Sequence, residues 1–240
     1  MKPRQMLAET TTSEGKSLTL YRRDDDYTID LDGEELMSTR APGSEVALAT
    51  LGCERLTKAE RPRVLIGGLG LGYTLRAALD VLPRNAEVVV AELFPAVVQW
   101  NRTHLAHLHN ATLDDSRVRI VTQDVWDLLG PDPRRDGYDA VLLDVDNGPA
   151  AWTLDANGRL YDRQGIERIR NILRPGGTLA IWAAQPDPQF AKRMKKSGFE
   201  VVQKIVQSRG AGGNRRHAVI LVRPSPKARL RTRPRSKGRR

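Results

Sequence analysis

Four carboxylates and one glycine turn are the parts of this chain best suited to chemistry. Asp144 and Asp146 close the apolar run Tyr138-Asp139-Ala140-Val141-Leu142-Leu143. They stand two residues apart, so an extended backbone points both to one side. Like charges held close raise the pKa of one partner, which suits it to accept a proton or to hold a cation. Upstream, Val64-Leu65-Ile66-Gly67 reads as a buried strand and leads into a turn with glycines at 68, 70 and 72. Such a turn lets the backbone bend sharply and approach a ligand. Glu92 ends the next apolar run, where a single carboxylate can accept from both hydroxyls of a ribose. Asp124, with Val125 beside it, follows Val118-Arg119-Ile120-Val121 and is placed to accept from an adenine amino group. The spacing is G-x-G-x-G, with Tyr73 where a dinucleotide fingerprint needs its third glycine. Glycine turn, ribose acid and adenine acid in that order fit S-adenosylmethionine, which has no pyrophosphate to seat on a helix N-terminus.

Three further residues are candidates for the acceptor side of the pocket. Asn147 extends the Asp144–Asp146 strand end, Trp152 follows it in a loop where an aromatic ring could roof a cation, and Gln185 follows the fifth strand. Asp187 lies beside Gln185, but Pro186 and Pro188 mark a turn and a helix start there. His104, His107 and His109 read as a solvated helix face rather than a metal site, since no acid joins them in a ligand pattern. No metal is expected.

Strands and helices alternate from residue 63 onward, the pattern of a parallel sheet covered on both faces. Strands are expected near 63–67, 86–92, 117–122, 138–144, 177–183, 199–207 and 216–223. Helices are expected near 71–82, 94–109, 125–130, 160–173 and 187–197. The last two strands are joined by seven residues, too few for a crossover helix, so they form an antiparallel hairpin. A parallel α/β run closed by such a hairpin is the Rossmann-like class I methyltransferase plan. Ahead of it, 17–21 and 27–31 form a β-hairpin or three-stranded meander, and Ser44 is the expected N-cap of an alanine- and leucine-rich helix. The organisation is a small N-terminal β element over 1–40, a catalytic domain over 41–224 and a disordered basic tail over 225–240.

The formal charge of +10 is concentrated at one end: residues 224–240 carry eight Lys and Arg and no acid. A tail of this composition with three prolines builds no packed element, and it can contact nucleic acid through phosphates. No apolar run approaches the ~20 residues of a membrane helix, and 1–12 holds no apolar signal region, so the cytoplasm is expected. The lone Cys53 excludes a disulfide framework, a cysteine zinc site and, far from any suitable motif, a cysteine-based pyrimidine methylation.

Taken in order, the glycine run 67–72, Val90-Ala91-Glu92, Arg119-Ile120-Val121-Thr122-Gln123-Asp124, the stretch 138–150, Leu160-Tyr161 and Leu173-Arg174-Pro175-Gly176-Gly177 resemble the polyamine aminopropyltransferases, spermidine synthase and its relatives. The resemblance covers about 60–205. It implies that Asp144 is the base toward an amine nucleophile, that Glu92 and Asp124 hold ribose and adenine, and that decarboxylated S-adenosylmethionine is the donor. The chain departs from the family in three places. Gly70 stands where the family carries an aspartate that grips the donor's amino group. The family's Tyr-His-Glu stretch finds no counterpart in 41–49, and the strand-end segment is two residues short. The resulting expectation is a transferase that moves a methyl or aminopropyl group to an amine-like acceptor from S-adenosylmethionine or its decarboxylated form. The missing acid tips the balance slightly toward methyl transfer. A non-catalytic cofactor- or nucleic-acid-binding protein on the same fold is the alternative, and a homodimer is left open.

Overall fold

The apolar runs at 64–66, 88–90 and 140–143 are fully buried, because they occupy the middle of a sheet that is covered on both sides. The computed structural model describes residues 3–130, 137–145, 148–149, 155–208 and 215–225. The large sheet has the order β10-β11-β9-β8-β5-β6-β7. Its members are β5 (Arg63–Gly67), β6 (Glu87–Glu92), β7 (Val118–Thr122), β8 (Tyr138–Leu143), β9 (Leu173–Ala183), β10 (Phe199–Gln207) and β11 (Arg216–Pro224). Strands β9, β8, β5, β6 and β7 pair in parallel, while β10 and β11 are antiparallel to their neighbours.

Alternation along the strands divides the core in two. Val64, Ile66, Val88, Val90, Ala140 and Leu142 face α1 (Gly43–Cys53), α2 (Tyr73–Val81) and α3 (Pro95–Thr103). Leu65, Val89, Val141, Leu143, Leu179 and Ile181 face α4 (Val125–Leu128), α5 (Arg163–Ile172) and α6 (Pro188–Lys196). The N-terminal element is larger than a three-stranded meander. It is a four-stranded antiparallel sheet of β1 (Gln5–Thr11), β2 (Ser17–Arg23), β3 (Asp26–Leu31) and β4 (Glu34–Ser38). Leu18, Leu20 and Ile29 join the same apolar cluster as Leu69 and Leu71, so this sheet packs on the glycine turn.

Three local expectations are corrected. Ser44 does not cap α1; its hydroxyl donates to Glu45 at 2.6 Å, and Pro42 occupies the cap position without a side-chain bond. The helix starts earlier because the Gly43 amide donates to the Ser208 carbonyl at 2.7 Å, which ties this turn to the end of β10. The helix expected over 94–109 ends at Thr103 and gives way to a 3-10 turn at Ala106–Leu108, with Asn110 and Ala111 at positive φ. His109 therefore leaves the solvated face and is buried, 1% exposed. Strand β9 begins at Leu173 rather than near 177, with a register shift that Gly176, at φ +83°, accommodates. Among the described residues, no helix is long and apolar enough to cross a membrane.

Gly68 shows how closely the turn is fitted. Its φ is +88°, and a Cβ there would lie 2.3 Å from the Asp144 carbonyl oxygen. Gly15 has a similar φ of +81° but open space around it. Gly68→Ala is expected to cost about 2–4 kcal/mol, strain plus backbone displacement, against about 1–2 kcal/mol for Gly15→Ala. Urea unfolding of the two variants checks this, and equal losses would mean that the turn can yield.

Candidate active site

Strand β6 ends in Glu92, and the parallel pairing of β5 with β6 brings that carboxylate under the turn that leaves β5. Glu92 Oε2 accepts from the Leu69 amide at 2.8 Å and Oε1 from the Phe94 amide at 2.9 Å. The side chain is 5% exposed, and burial holds its pKa above the usual carboxylate value while these amides pull it back. The Gly70 and Leu93 amides also lower it, so four backbone donors surround this one carboxylate. Behind the turn, Asn101 Nδ2 donates to the Gly70 carbonyl at 2.8 Å and to Val97 at 2.9 Å. The buried His109 ring stands where a Cβ at Gly72 would fall, 2.6 Å away. The backbone carbonyl of Gly70 is thus held from below, while the thioether of Met37 covers Gly70 from β4. A Cβ there would sit 2.8 Å from Met37 Sδ.

Asp144 lies just past β8, with its amide donating to the Gly67 carbonyl at 2.9 Å. Thr74, in the first turn of α2, donates its hydroxyl to Asp144 Oδ2 at 2.6 Å. Burial is the main cause that pushes the Asp144 pKa up to about 7, helped by the charge of Glu45 and opposed by Thr74. Glu45 is itself raised, chiefly by burial, while the Ser44 hydroxyl lowers it. Two acids from distant parts of the chain therefore face one cavity and repel each other.

Asp124 is already engaged. Its Oδ1 accepts from the Trp126 amide at 2.8 Å as the N-cap of α4, and its Oδ2 pairs with Arg159 at 2.6 Å. The Arg159 guanidinium also lies 4.9 Å from the centre of the Trp126 ring. Any base amino group reaching Asp124 must share an oxygen with one of these donors. Val125 is buried and lines the cavity beside it.

The cavity these residues enclose has a volume of about 280 Å³. Gly68, Gly70, Glu92, Asp124, Val125 and Asp144 all line it, together with Met37, Tyr73, Thr74 and Trp182. Glu34, Glu35 and Glu45 bring its carboxylates to six, and among the described residues no Lys, Arg or His lines it. Gly72 is not itself a lining residue, though Leu71 and Tyr73 on either side are; it is the left-handed N-cap of α2, at φ 83°. Gln185 is exposed in the turn ahead of α6 and is not among the lining residues of the cavity. The chain turns away there because Asp187 caps α6, accepting from the Phe190 amide at 2.8 Å. Asp146, Asn147, Trp152 and the tail from 226 lie outside the described residues. No group of acids, histidines and cysteine able to hold a metal occurs among the described residues.

Glu45 carried a faint signal in the sequence, as the one charged residue of α1, but a lone acid in a first helical turn reads as dipole compensation. Glu34, Glu35 and Met37 carried none, because only the pairing of β3 with β4 brings them over the glycine turn.

A doubly wound sheet whose strand ends and glycine turn enclose an acid-lined pocket defines the class I methyltransferase-like fold. Two crystal structures of spermidine synthase share it: one in complex with the transition-state analogue AdoDATO, and the Thermotoga maritima enzyme. Each superposes with a TM-score of 0.67 over 91% of this chain and 72% of the other, at 16% and 14% identity. In sequence, the chain is 38% identical over 127 residues to polyamine aminopropyltransferase 2 of Pseudomonas aeruginosa, covering 51% of this chain and 34% of that one. It is 30% identical over 172 residues to a polyamine aminopropyltransferase of Mycobacterium tuberculosis, covering 71% and 31%. An uncharacterised protein of Methanocaldococcus jannaschii matches at 25% over 207 residues, covering 82% and 64%. No family model matches. In sequence the chain is similar to polyamine aminopropyltransferases, and the matching segment spans about a third of their length. None of these relatives lends support to the expected tilt toward methyl transfer; the named ones are aminopropyltransferases.

Glu92 couples the two amides that shape the turn, so Glu92→Ala is expected to lose about 1–3 kcal/mol of stability. Hydrogen exchange at Leu69 and Phe94 should accelerate together. Unchanged protection at both amides would show that the carboxylate does not hold the turn.

Proposed function

We propose that this chain transfers an aminopropyl group from decarboxylated S-adenosylmethionine to a cationic amine acceptor. The observation that carries the proposal is the charge of the cavity: six carboxylates are among its lining residues and no cation is among the described ones, with Arg40 on Glu35 and Arg159 on Asp124 offsetting two of the six from outside the lining. A donor that keeps its carboxylate would bring an anion with no partner into that field, whereas the decarboxylated form offers an ammonium in its place. Gly70 lacks the family's acid, but Glu34 and Glu35 reach the same cavity from β4. Glu35 is paired with Arg40, so Glu34 is the one of the two that supplies the negative charge the glycine turn lacks.

When bound, the donor supplies an electrophilic carbon next to a sulfonium, and an amine nitrogen can displace the thioether there. The residues supply the rest. Glu92 accepts the ribose hydroxyls and keeps the turn in shape. Asp124 faces the base, and the backbone at Gly68 and Gly70 leaves room for the sugar, with Gly72 freeing the start of α2. Asp144 takes the proton that the acceptor must lose before its lone pair is free, a role that needs a pKa close to the working pH. Glu45 balances the acceptor's charge and raises the affinity of Asp144 for a proton. Asp146, Asn147 and Trp152 remain proposed acceptor contacts on the strand-end segment.

Titration calorimetry with the two donors side by side tests the choice between them. The decarboxylated form should bind at least about tenfold more tightly, a difference of about 1.4 kcal/mol. Equal affinity, or preference for the intact form, would return the reading to methyl transfer.

The proton transfer has its own test. Asp144 acts as a base only when ionised, so turnover should rise with pH through about 7. Asp144→Asn should remove that limb and cut turnover by about 10²-fold or more. Glu45→Gln removes the neighbouring charge and should move the limb to lower pH. The folded pKa is raised, so the folded chain holds this proton more tightly than the unfolded chain. Stability therefore falls as pH rises from the ordinary carboxylate range through about 7. A thermal unfolding series should show that decline in the native chain and a smaller one in Asp144→Asn, where only the raised Glu45 and Glu92 remain to contribute. A limb that survives the substitution would assign the base elsewhere.

A further inference from the structure

We propose that the outer side of β10 pairs with β10 of a second copy of this chain, the two strands running antiparallel about a two-fold axis at Val202. This association is independent of the group that the cavity transfers.

Strand β10 comes last in the order of the large sheet, and among the described residues no strand pairs with its outer side. Its register with β11 holds without a shift from Phe199 to Gln207. The same register is bonded just beyond both ends: the Ser225 amide donates to the Gly198 carbonyl at 2.9 Å, and the Ser208 amide to the Arg215 carbonyl at 3.2 Å. Bonded and non-bonded pairs alternate along an antiparallel ladder. The even-numbered residues of β10 therefore turn their amides and carbonyls toward β11, and Phe199, Val201, Gln203, Ile205 and Gln207 turn theirs outward. Helix α1 screens the last of these, since a Cβ at Gly43 would lie 2.7 Å from the Gln207 carbonyl oxygen. The open stretch is 199–205, and its middle residue is Val202.

Charge selects the same centre. Glu200 and Lys204 are both exposed and flank Val202 symmetrically. A pair centred on Val202 sets Glu200 of each copy opposite Lys204 of the other, in the non-bonded positions where side chains approach most closely. An axis at 200 or 204 would set like charges together, and one at 201 or 203 would oppose both charges with uncharged residues. Within the chain Glu200 faces Arg223 across the ladder, whereas Lys204 faces Val219. A lone lysine on an outer strand is a device against self-association, but an acid at the mirrored position reverses its effect.

The apolar surface agrees with this register. Among the described residues five large apolar side chains are exposed, and two of them, Val202 and Ile205, are on β10. Val202 meets its own copy at the axis, and Ile205 comes opposite Phe199. At the other end of the sheet order, β7 carries Arg119 and no acid, so self-pairing there finds no such match of charge.

Sedimentation velocity of the full chain across a dilution series tests the association, and a dimer is expected. E200K and K204E alone should each weaken it at least about tenfold, because the two-fold axis turns two opposite pairs into two like ones. The double variant E200K/K204E exchanges the signs and should recover the native dimer. Mild oxidation supplies a second measurement. Non-bonded antiparallel partners stand about 4.5 Å apart at Cα, within reach of a disulfide, so V202C should cross-link to its copy. I205C should not, since its two copies would lie about 20 Å apart along the strands. The native Cys53 is buried and does not compete. A monomeric full chain, single variants that dimerise as the native chain does, a double variant that fails to recover, or cross-linking through 205 as readily as through 202 would each overturn the proposal.

Discussion

The amide-to-carboxylate bonds at Glu92 are the constraint on which the pocket depends. One side chain, buried at the end of β6, takes the Leu69 amide from one turn and the Phe94 amide from the next. These bonds fix two loops that leave neighbouring parallel strands, and they do so at the point where the sheet's carboxyl edge opens. Isolated in a core, such a carboxylate would be costly; satisfied by backbone donors it can remain at the lining of the cavity. The Gly68 contact with Asp144, the Asn101 bond to Gly70 and the Met37 cover are all built on the turn so fixed.

Electrostatics then divides the molecule into two edges. The carboxyl edge gathers Glu34, Glu35, Glu45, Glu92, Asp124 and Asp144 around one cavity, and burial, helped at Asp144 by the charge of Glu45, raises the proton affinity of Glu45, Glu92 and Asp144. The opposite edge gathers Lys192, Arg193, Lys195 and Lys196 at the point where the basic tail leaves the sheet. A net charge near +10 describes neither edge. The parallel sheet makes the division possible, since every crossover helix carries residues from the cavity edge to the far one.

How much was legible in the sequence follows from the range of each signal. Period-two alternation and apolar runs are local, so the seven strands of the large sheet and the antiparallel end could be read to within a few residues, apart from the early start of β9. Glu92, Asp124 and Asp144 were legible because each ends a strand, where position alone aims a side chain at the ligand edge. Glu45 and Met37 were not. Their place in the cavity depends on how α1 and β4 dock against a turn some 30 residues away, and nothing in their immediate neighbours records that. Two mistaken expectations arose in the same way. Ser44 had the composition of a cap, but the Gly43 bond to Ser208 set the helix start. His109 was read with the solvated face of a helix, and the helix stopped short of it.

Met37 lies directly over Gly70. The sulfur lies 2.8 Å from where the first atom of a side chain at 70 would go, and the backbone there is left-handed at φ +53°. An aspartate in the bend would therefore meet two obstacles of unequal weight. The thioether ends a flexible side chain and can swing aside, whereas the left-handed dihedral stays unfavourable for any residue with a side chain, so the penalty for putting an acid there falls on the main chain rather than on its neighbour.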